Sequence, residues 1–218
     1  VVQSSIFKEK LECLLNKFGV FYEMLINQQR YISSTLAGLA TIAPLIVLSC
    51  DVASAQTTSL TTFRSTALSK HNTYRGIHRS PAMVINNSTN STAQNWANQL
   101  ATTGTFTHSS SSQRNGAGEN LYVYYTTASV IAPDALAKNA VDSWYNEVKQ
   151  YNYSAPGFSS ATGHFTQVVW KSSNQLGCGT AKGTKTLNGT RFNAFYVVCH
   201  YSPAGNVQGQ FPANVLKP

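Results

Sequence analysis

Gly163-His164-Phe165-Thr166-Gln167-Val168-Val169-Trp170 is the stretch where the pattern of the chain changes. Upstream, apolar residues recur at helical spacing. From here they come in short β-branched or aromatic runs separated by Gly, Asn and Ser. By that rule Phe165–Trp170, Gln175–Thr180 and Phe195–Tyr201 are strands, and His164 opens the first of them. Working back towards the N-terminus, Leu136, Ala140, Val141, Trp144 and Val148 form one stripe of a helix. Pro133 sits near its start and Asp134 lies in the first turn, where negative charge favours the helix dipole. Ala93, Trp96, Ala97 and Leu100 mark another helix over 90–103, closed by Gly104. Phe63, Ala67, Leu68, His71 and Tyr74–Arg75 mark a first one from Phe63 to about His78. Helices come first and sheet second, which predicts one α+β domain in which helices cover a sheet.

Five segments carry a resemblance. Gly163–Trp170 and Tyr196-Val197-Val198-Cys199-His200-Tyr201-Ser202-Pro203-Ala204-Gly205-Asn206 resemble the two signature motifs of the cysteine-rich secretory protein, antigen 5 and pathogenesis-related (CAP) superfamily. Gly118-Glu119-Asn120-Leu121, His71-Asn72-Thr73-Tyr74-Arg75 and Trp144-Tyr145-Asn146-Glu147 are similar to three shorter motifs of that family. The resemblance covers about 63–215 and implies an α-β-α sandwich with a mainly antiparallel central sheet. Met83-Val84-Ile85-Asn86-Asn87 departs from the family's usual start to the second helix.

The family's cavity tetrad falls on His108, Glu119, Glu147 and His164. Two imidazoles and two carboxylates suit a divalent cation, zinc through nitrogen or magnesium through oxygen, and suit equally a metal-free hydrogen-bonded cluster. His71 and His200 read as structural. A hydrolase could use Glu and His as base and acid with Ser109–Ser112 beside them. However, the sequence shows no nucleophile elbow and no Asp or Asn clearly placed to orient a histidine, so the expectation is a protein that is not an enzyme.

Tyr151-Asn152-Tyr153-Ser154-Ala155-Pro156-Gly157-Phe158 resembles the sterol-binding loop of the family's yeast-type members, which bind and export sterols and sterol esters. Exposed aromatic faces suit a flat steroid, so Tyr151, Tyr153 and Phe158 are candidate lipid contacts. The same three rings would also serve as a small core capping the sheet edge. The resemblance therefore implies a secreted lipid-binding protein, with sterol as first ligand and fatty acid as second. The alternatives are a defence or virulence protein acting through a protein receptor, and a metal-dependent hydrolase.

The flanks and composition point to the same compartment. Residues 36–48 are an apolar run too short to span a bilayer, preceded by Arg30 and followed by Ala53-Ser54-Ala55. This predicts a signal peptide over 24–55, an upstream prefix over 1–23, a lead-in over 56–62 and the domain proper over 63–218. Only Cys178 and Cys199 lie beyond that segment. In an oxidising compartment they predict one disulfide, with a free thiol pair as the alternative. Asn-x-Ser/Thr triplets at Asn86, Asn87, Asn90, Asn152 and Asn188 are glycosylation candidates, and one at Asn152 would interfere with the aromatic loop. The net charge is +8, and all of the excess lies in 56–218. Its basic residues are scattered singly, which argues against nucleic acid and for weak attraction to a cell wall or anionic membrane surface.

Overall fold

In the computed structural model the described backbone runs from Ala43 to Pro218, with side chains described from Ser59 onward. The prefix expected over 1–23 lies outside the described residues. So do residues 24–42 of the expected signal peptide, and the side chains of its remainder. Ser59–Pro218 form one compact unit, and the candidate site belongs to it. In chain order the elements are α1 (Ala43–Ile77), β1 (Val84–Ile85), α2 (Asn87–Thr103), β2 (Gly118–Thr126) and α3 (Pro133–Asn146), which runs into a 3-10 turn (Glu147–Gln150). Then come α4 (Gly163–Val169), β3 (Gln175–Leu187), β4 (Thr190–Ser202) and α5 (Phe211–Asn214).

The sheet order is β1-β3-β4-β2, with β1 parallel to β3 and the other pairs antiparallel. Alternation along β4 divides the core into two layers. Ala194, Tyr196 and Val198 pack with Ala93, Ala97 and Leu100 of α2. Phe195, Val197, Cys199 and Tyr201 pack on the opposite face with Phe63, Trp144, Phe165 and Val168, from α1, α3 and α4. Helices thus cover both faces, which is the expected α+β sandwich. Helix α2 comes very close to β3, and the glycines Gly177, Gly179 and Gly183 permit it. A Cβ on Gly177 would lie 2.2 Å from the Asn90 amide nitrogen, and one on Gly179 would lie 2.4 Å from the Gln94 Cα.

Three expectations need correction. Phe165–Trp170 is not a strand, because Gly163–Val169 forms α4. All residues from Phe165 to Val169 are buried, the polar Thr166 and Gln167 among them, so no exposed polar face marks a helical period. Second, β2 lies between α2 and α3, so the order is not helices first and sheet second. Its outer edge is partly covered by α3, whose Trp144 indole donates to the Leu121 carbonyl at 3.0 Å. Third, α2 begins at Asn87 rather than at 90. The Asn86 carboxamide accepts from the Thr89 amide at 2.9 Å and caps the helix. At its other end Gly104 adopts φ 66°, and its N–H returns to the Leu100 carbonyl.

The buried Arg75 guanidinium reaches five carbonyls, those of Pro81, Val168, Trp170, Lys171 and Ser173. It fastens the C-terminal end of α4 and the turn after it to α1. The Cys178 and Cys199 sulfurs are bonded across directly paired positions of β3 and β4. Closing a loop of this length stabilises by about 3 kcal/mol in the chain-entropy account.

Candidate functional site

The four expected cavity residues resolve into two imidazole–carboxylate pairs. In the first, strand pairing sets Glu119 of β2 opposite His200 of β4. The Glu119 side chain is only 1% exposed, and its two oxygens take four donors. Oε1 accepts from His108 Nδ1 at 2.6 Å and from the Ser109 amide at 3.0 Å. Oε2 accepts from the Ser109 hydroxyl at 2.7 Å and from His200 Nε2 at 2.9 Å. Burial by itself would raise the Glu119 carboxyl. The bonds from His108, His200 and Ser109 overcome it and hold the group well below the usual carboxylate range. His108 is 59% exposed, so its ring stands at the surface over a buried anion. Arg114 secures the loop beneath it by donating to the Ala117 and Ser109 carbonyls.

In the second pair Glu147, just past α3, supplies the cap that α4 lacks locally. Its Oε2 accepts from the His164 and Phe165 amides at 3.0 and 3.1 Å, and its Oε1 accepts from His164 Nδ1 at 2.7 Å. Thr162, at the N-cap position, makes no side-chain cap bond. The Trp144 ring stacks on His164 with centroids 6.3 Å apart.

Strand β2 links the pairs through the residue beside Glu119. Asn120 Nδ2 donates to the His164 carbonyl and to the Tyr201 hydroxyl, each at 3.1 Å. Tyr201 lies 2.8 Å from His71 Nε2, and His71 Nδ1 lies 2.7 Å from the Ala67 carbonyl. A carbonyl can only accept, so Nδ1 carries the proton and Nε2 accepts from Tyr201. Burial, opposed by the bond to Ala67, lowers the His71 pKa to about 4, consistent with this neutral tautomer. His71 is therefore structural, as expected. His200, expected to be structural as well, contacts the first pair directly.

The donor chemistry bears on a cation. Each cavity imidazole gives Nδ1–H to a carboxylate, which leaves the Nε2 lone pairs of His108 and His164 as candidate ligands. The carboxylates are occupied in orienting those rings, and among the described residues no three His, Cys, Asp or Glu side chains group to hold a metal. The donors the tetrad leaves for a cation are therefore two imidazole nitrogens, not four ligands. The Ser109 hydroxyl donates to Glu119 and not to an imidazole, so the expected neighbours do not form a serine–histidine pair.

The aromatic loop divides. The Tyr151 ring is buried on Phe165, and the Tyr153 ring meets Tyr151 edge-on at 4.9 Å and stacks on His78 at 6.5 Å. Both tyrosines pack against the main core, as in the sheet-capping alternative. Phe158 is 60% exposed and lies over Gly163, at the start of α4. The hydroxyls of Tyr151, Tyr153 and Thr162 are buried without a full hydrogen-bond partner, although the Gly157 amide influences Tyr151. Burial pushes Tyr153 up to about 12.

Among the glycosylation candidates Asn87, Asn152 and Asn188 are exposed. Asn90 is corrected: it is 4% exposed, and its side-chain oxygen accepts the Cys178 amide at 2.9 Å. Asn86 is committed too, as the α2 cap and as a donor to Gln175 at 2.7 Å.

Comparison with known proteins agrees with this architecture. The sequence profile described as "CAP: Cysteine-rich secretory protein family" matches residues 68–201. The chain is 40% identical over 159 residues to the human Golgi-associated plant pathogenesis-related protein 1, covering 72% of this chain and 94% of that protein. It is 38% identical over 155 residues to Protein PRY2 of Saccharomyces cerevisiae, covering 71% of this chain but 41% of that protein. Among solved structures it resembles BmVAL-1 (26% identity, TM-score 0.56), with 72% and 83% of the two chains covered. It also resembles NaASP2 determined with Zn2+ (25% identity, TM-score 0.54), with 72% and 85% covered. Profile, relatives and fold agree, and the chain belongs to the cysteine-rich secretory protein (CAP) family.

Proposed function

We propose that this CAP protein is secreted and binds a lipid at the loop Tyr151–Phe158, with sterol as the favoured ligand and fatty acid second. The observation that carries the reading is the make-up of the loop. An exposed Phe158 ring lies outside, and buried phenol hydroxyls of Tyr151 and Tyr153 without full partners lie inside. A steroid has the complementary make-up, a large hydrocarbon face and one oxygen. A relative named Secreted protein RBT4, from Candida albicans, is 36% identical over 170 residues and supports the route out of the cell. No helix among the described residues is long and apolar enough to cross a membrane.

In the same reading the cavity holds a divalent cation through Nε2 of His108 and His164, a nitrogen donor set that suits zinc rather than the oxygen-seeking magnesium, and this cation is not needed for lipid. When bound it would supply a positive centre, while Glu119 and Glu147 keep the two rings oriented. The surface favours anionic partners. The acidic side chains of Ser59–Pro218 are all engaged, Glu119 and Glu147 with histidines, Asp134 with Lys138 and Asp142 with Lys70. The positive excess that remains would attract a cell wall or anionic membrane surface.

Relatives named as pathogenesis-related keep a second reading open, in which the protein acts through a protein receptor without a stoichiometric lipid. Lipid extraction and mass spectrometry of protein from its native secretion decide between them. A co-purifying sterol or fatty acid near one per chain is expected. Lipid-free protein that also fails to take up added sterol rules the first reading out.

A further inference from the structure

Glu119 is the hub of the first pair, and the residue that completes its bonding comes from a different motif. His200 is fully buried, sits at the position opposite Glu119 in the β2–β4 ladder, and bonds Oε2 at 2.9 Å. Its other nitrogen, Nδ1, lies 2.9 Å from the Thr92 hydroxyl of α2. A carboxylate oxygen only accepts, so Nε2 is the donor, and Thr92 keeps the ring from turning away. The resulting line Thr92–His200–Glu119–His108 runs from a half-buried threonine of α2 to an exposed imidazole. Without His200, Oε2 would keep only the Ser109 hydroxyl, which comes from the same loop as His108 and moves with it. His200 is thus the only one of Glu119's partners that comes from the rigid centre of the sheet.

We infer that His200 is a positioning residue for cation binding. It locks the Glu119 carboxylate in the orientation that fixes His108 as the Nδ1–H tautomer, with the Nε2 lone pair turned outward. This rests on the two-histidine cation site proposed above. The role does not require His200 to touch the ion, and it distinguishes His200 from the other buried histidines. His71 and His78 spend Nδ1 on backbone carbonyls and Nε2 on tyrosine hydroxyls, without contact to either cavity carboxylate.

Two measurements on the full chain test it. The first is the tautomer of His108 in metal-free protein, read from long-range nitrogen–proton correlations in the NMR spectrum. Wild type should show the Nδ1–H form. H200L should show a mixture, and H200Q, whose amide nitrogen can reach Oε2, should restore the wild-type pattern. The second is zinc chloride titration by calorimetry. H200L should bind about tenfold more weakly, in the range found for removal of groups that support a ligand, with H200Q within about twofold of wild type. Should H200L not fold, H200N makes the same comparison, since its shorter amide can meet Thr92 but not Glu119. A folded H200L or H200N with wild-type tautomer and wild-type zinc affinity overturns the inference. Zinc binding unchanged in His108→Ala overturns instead the cation site on which it rests, and the tautomer comparison still judges His200 itself.

Discussion

Glu147 holds His164 twice, by the backbone amide at 3.0 Å and by ring Nδ1 at 2.7 Å, although 17 residues separate them in the chain. One carboxylate therefore both starts α4 and orients the imidazole that opens it. Helix and site depend on the same side chain.

Replacing that carboxylate should disturb both. Glu147→Gln keeps the volume but turns an N–H2 group towards donors, and should cost about 1–3 kcal/mol. In urea unfolding the midpoint should fall, and the NMR signature of His164 should lose its single tautomer. A variant with an unchanged midpoint and tautomer would show that α4 does not depend on this cap.

The buried His71 predicts how stability depends on pH. Its folded pKa of about 4 lies below the ordinary 6.5, so the unfolded state binds the extra proton between those values. Stability from this group is complete above about pH 6.5, falls as pH drops towards 4, and levels off below. The loss is about 3 kcal/mol. Burial lowers His78 as well and adds in the same direction. Chemical denaturation from pH 7 to pH 4, with NMR titration of His71, checks this. A His71 that titrates near pH 6.5 would contradict it.

Glycan occupancy should follow side-chain commitments rather than the density of triplets. Glycopeptide mass spectrometry of folded protein secreted from a eukaryotic host should find Asn90 bare, because its carboxamide is bonded to the Cys178 amide inside the fold. Asn86 should also be bare, as its side-chain nitrogen is bonded to Gln175. Occupancy should be confined to Asn87, Asn152 and Asn188. A glycan on Asn90 in folded material would contradict the packing of α2 on β3.

The stripe from Leu136 to Trp144 was legible because α3 has one buried face, and its period shows in the sequence. Helix α4 was not legible, because Phe165–Val169 are all buried, polar and apolar alike, and its cap comes from Glu147 far upstream. His108, Glu119, Glu147 and His164 could be grouped by resemblance to a family, and spacing would not have joined them. The contact of His200 with Glu119 was not legible either, since it depends on the register that sets the two residues opposite each other. A cross-strand register cannot be read from either strand alone. Asn90 resembled a surface site for a similar reason: its burial follows from α2 starting at Asn87 under an Asn86 cap, three residues before the start at 90 that the sequence suggests.

The central claim is lipid binding at the aromatic loop, and sterol titration tests it most directly. Wild type should bind cholesterol saturably. Phe158→Ala removes one exposed ring face worth about 1–3 kcal/mol when covered, so affinity should fall by about tenfold. Tyr153→Phe removes only a hydroxyl and should weaken binding through the lost polar contact while leaving the fold intact. Val130→Ala, which trims an exposed apolar side chain elsewhere, should change nothing. Saturable cholesterol binding that is equal in wild type, Phe158→Ala and Tyr153→Phe would place the lipid elsewhere, and no binding by wild type would contradict the account outright.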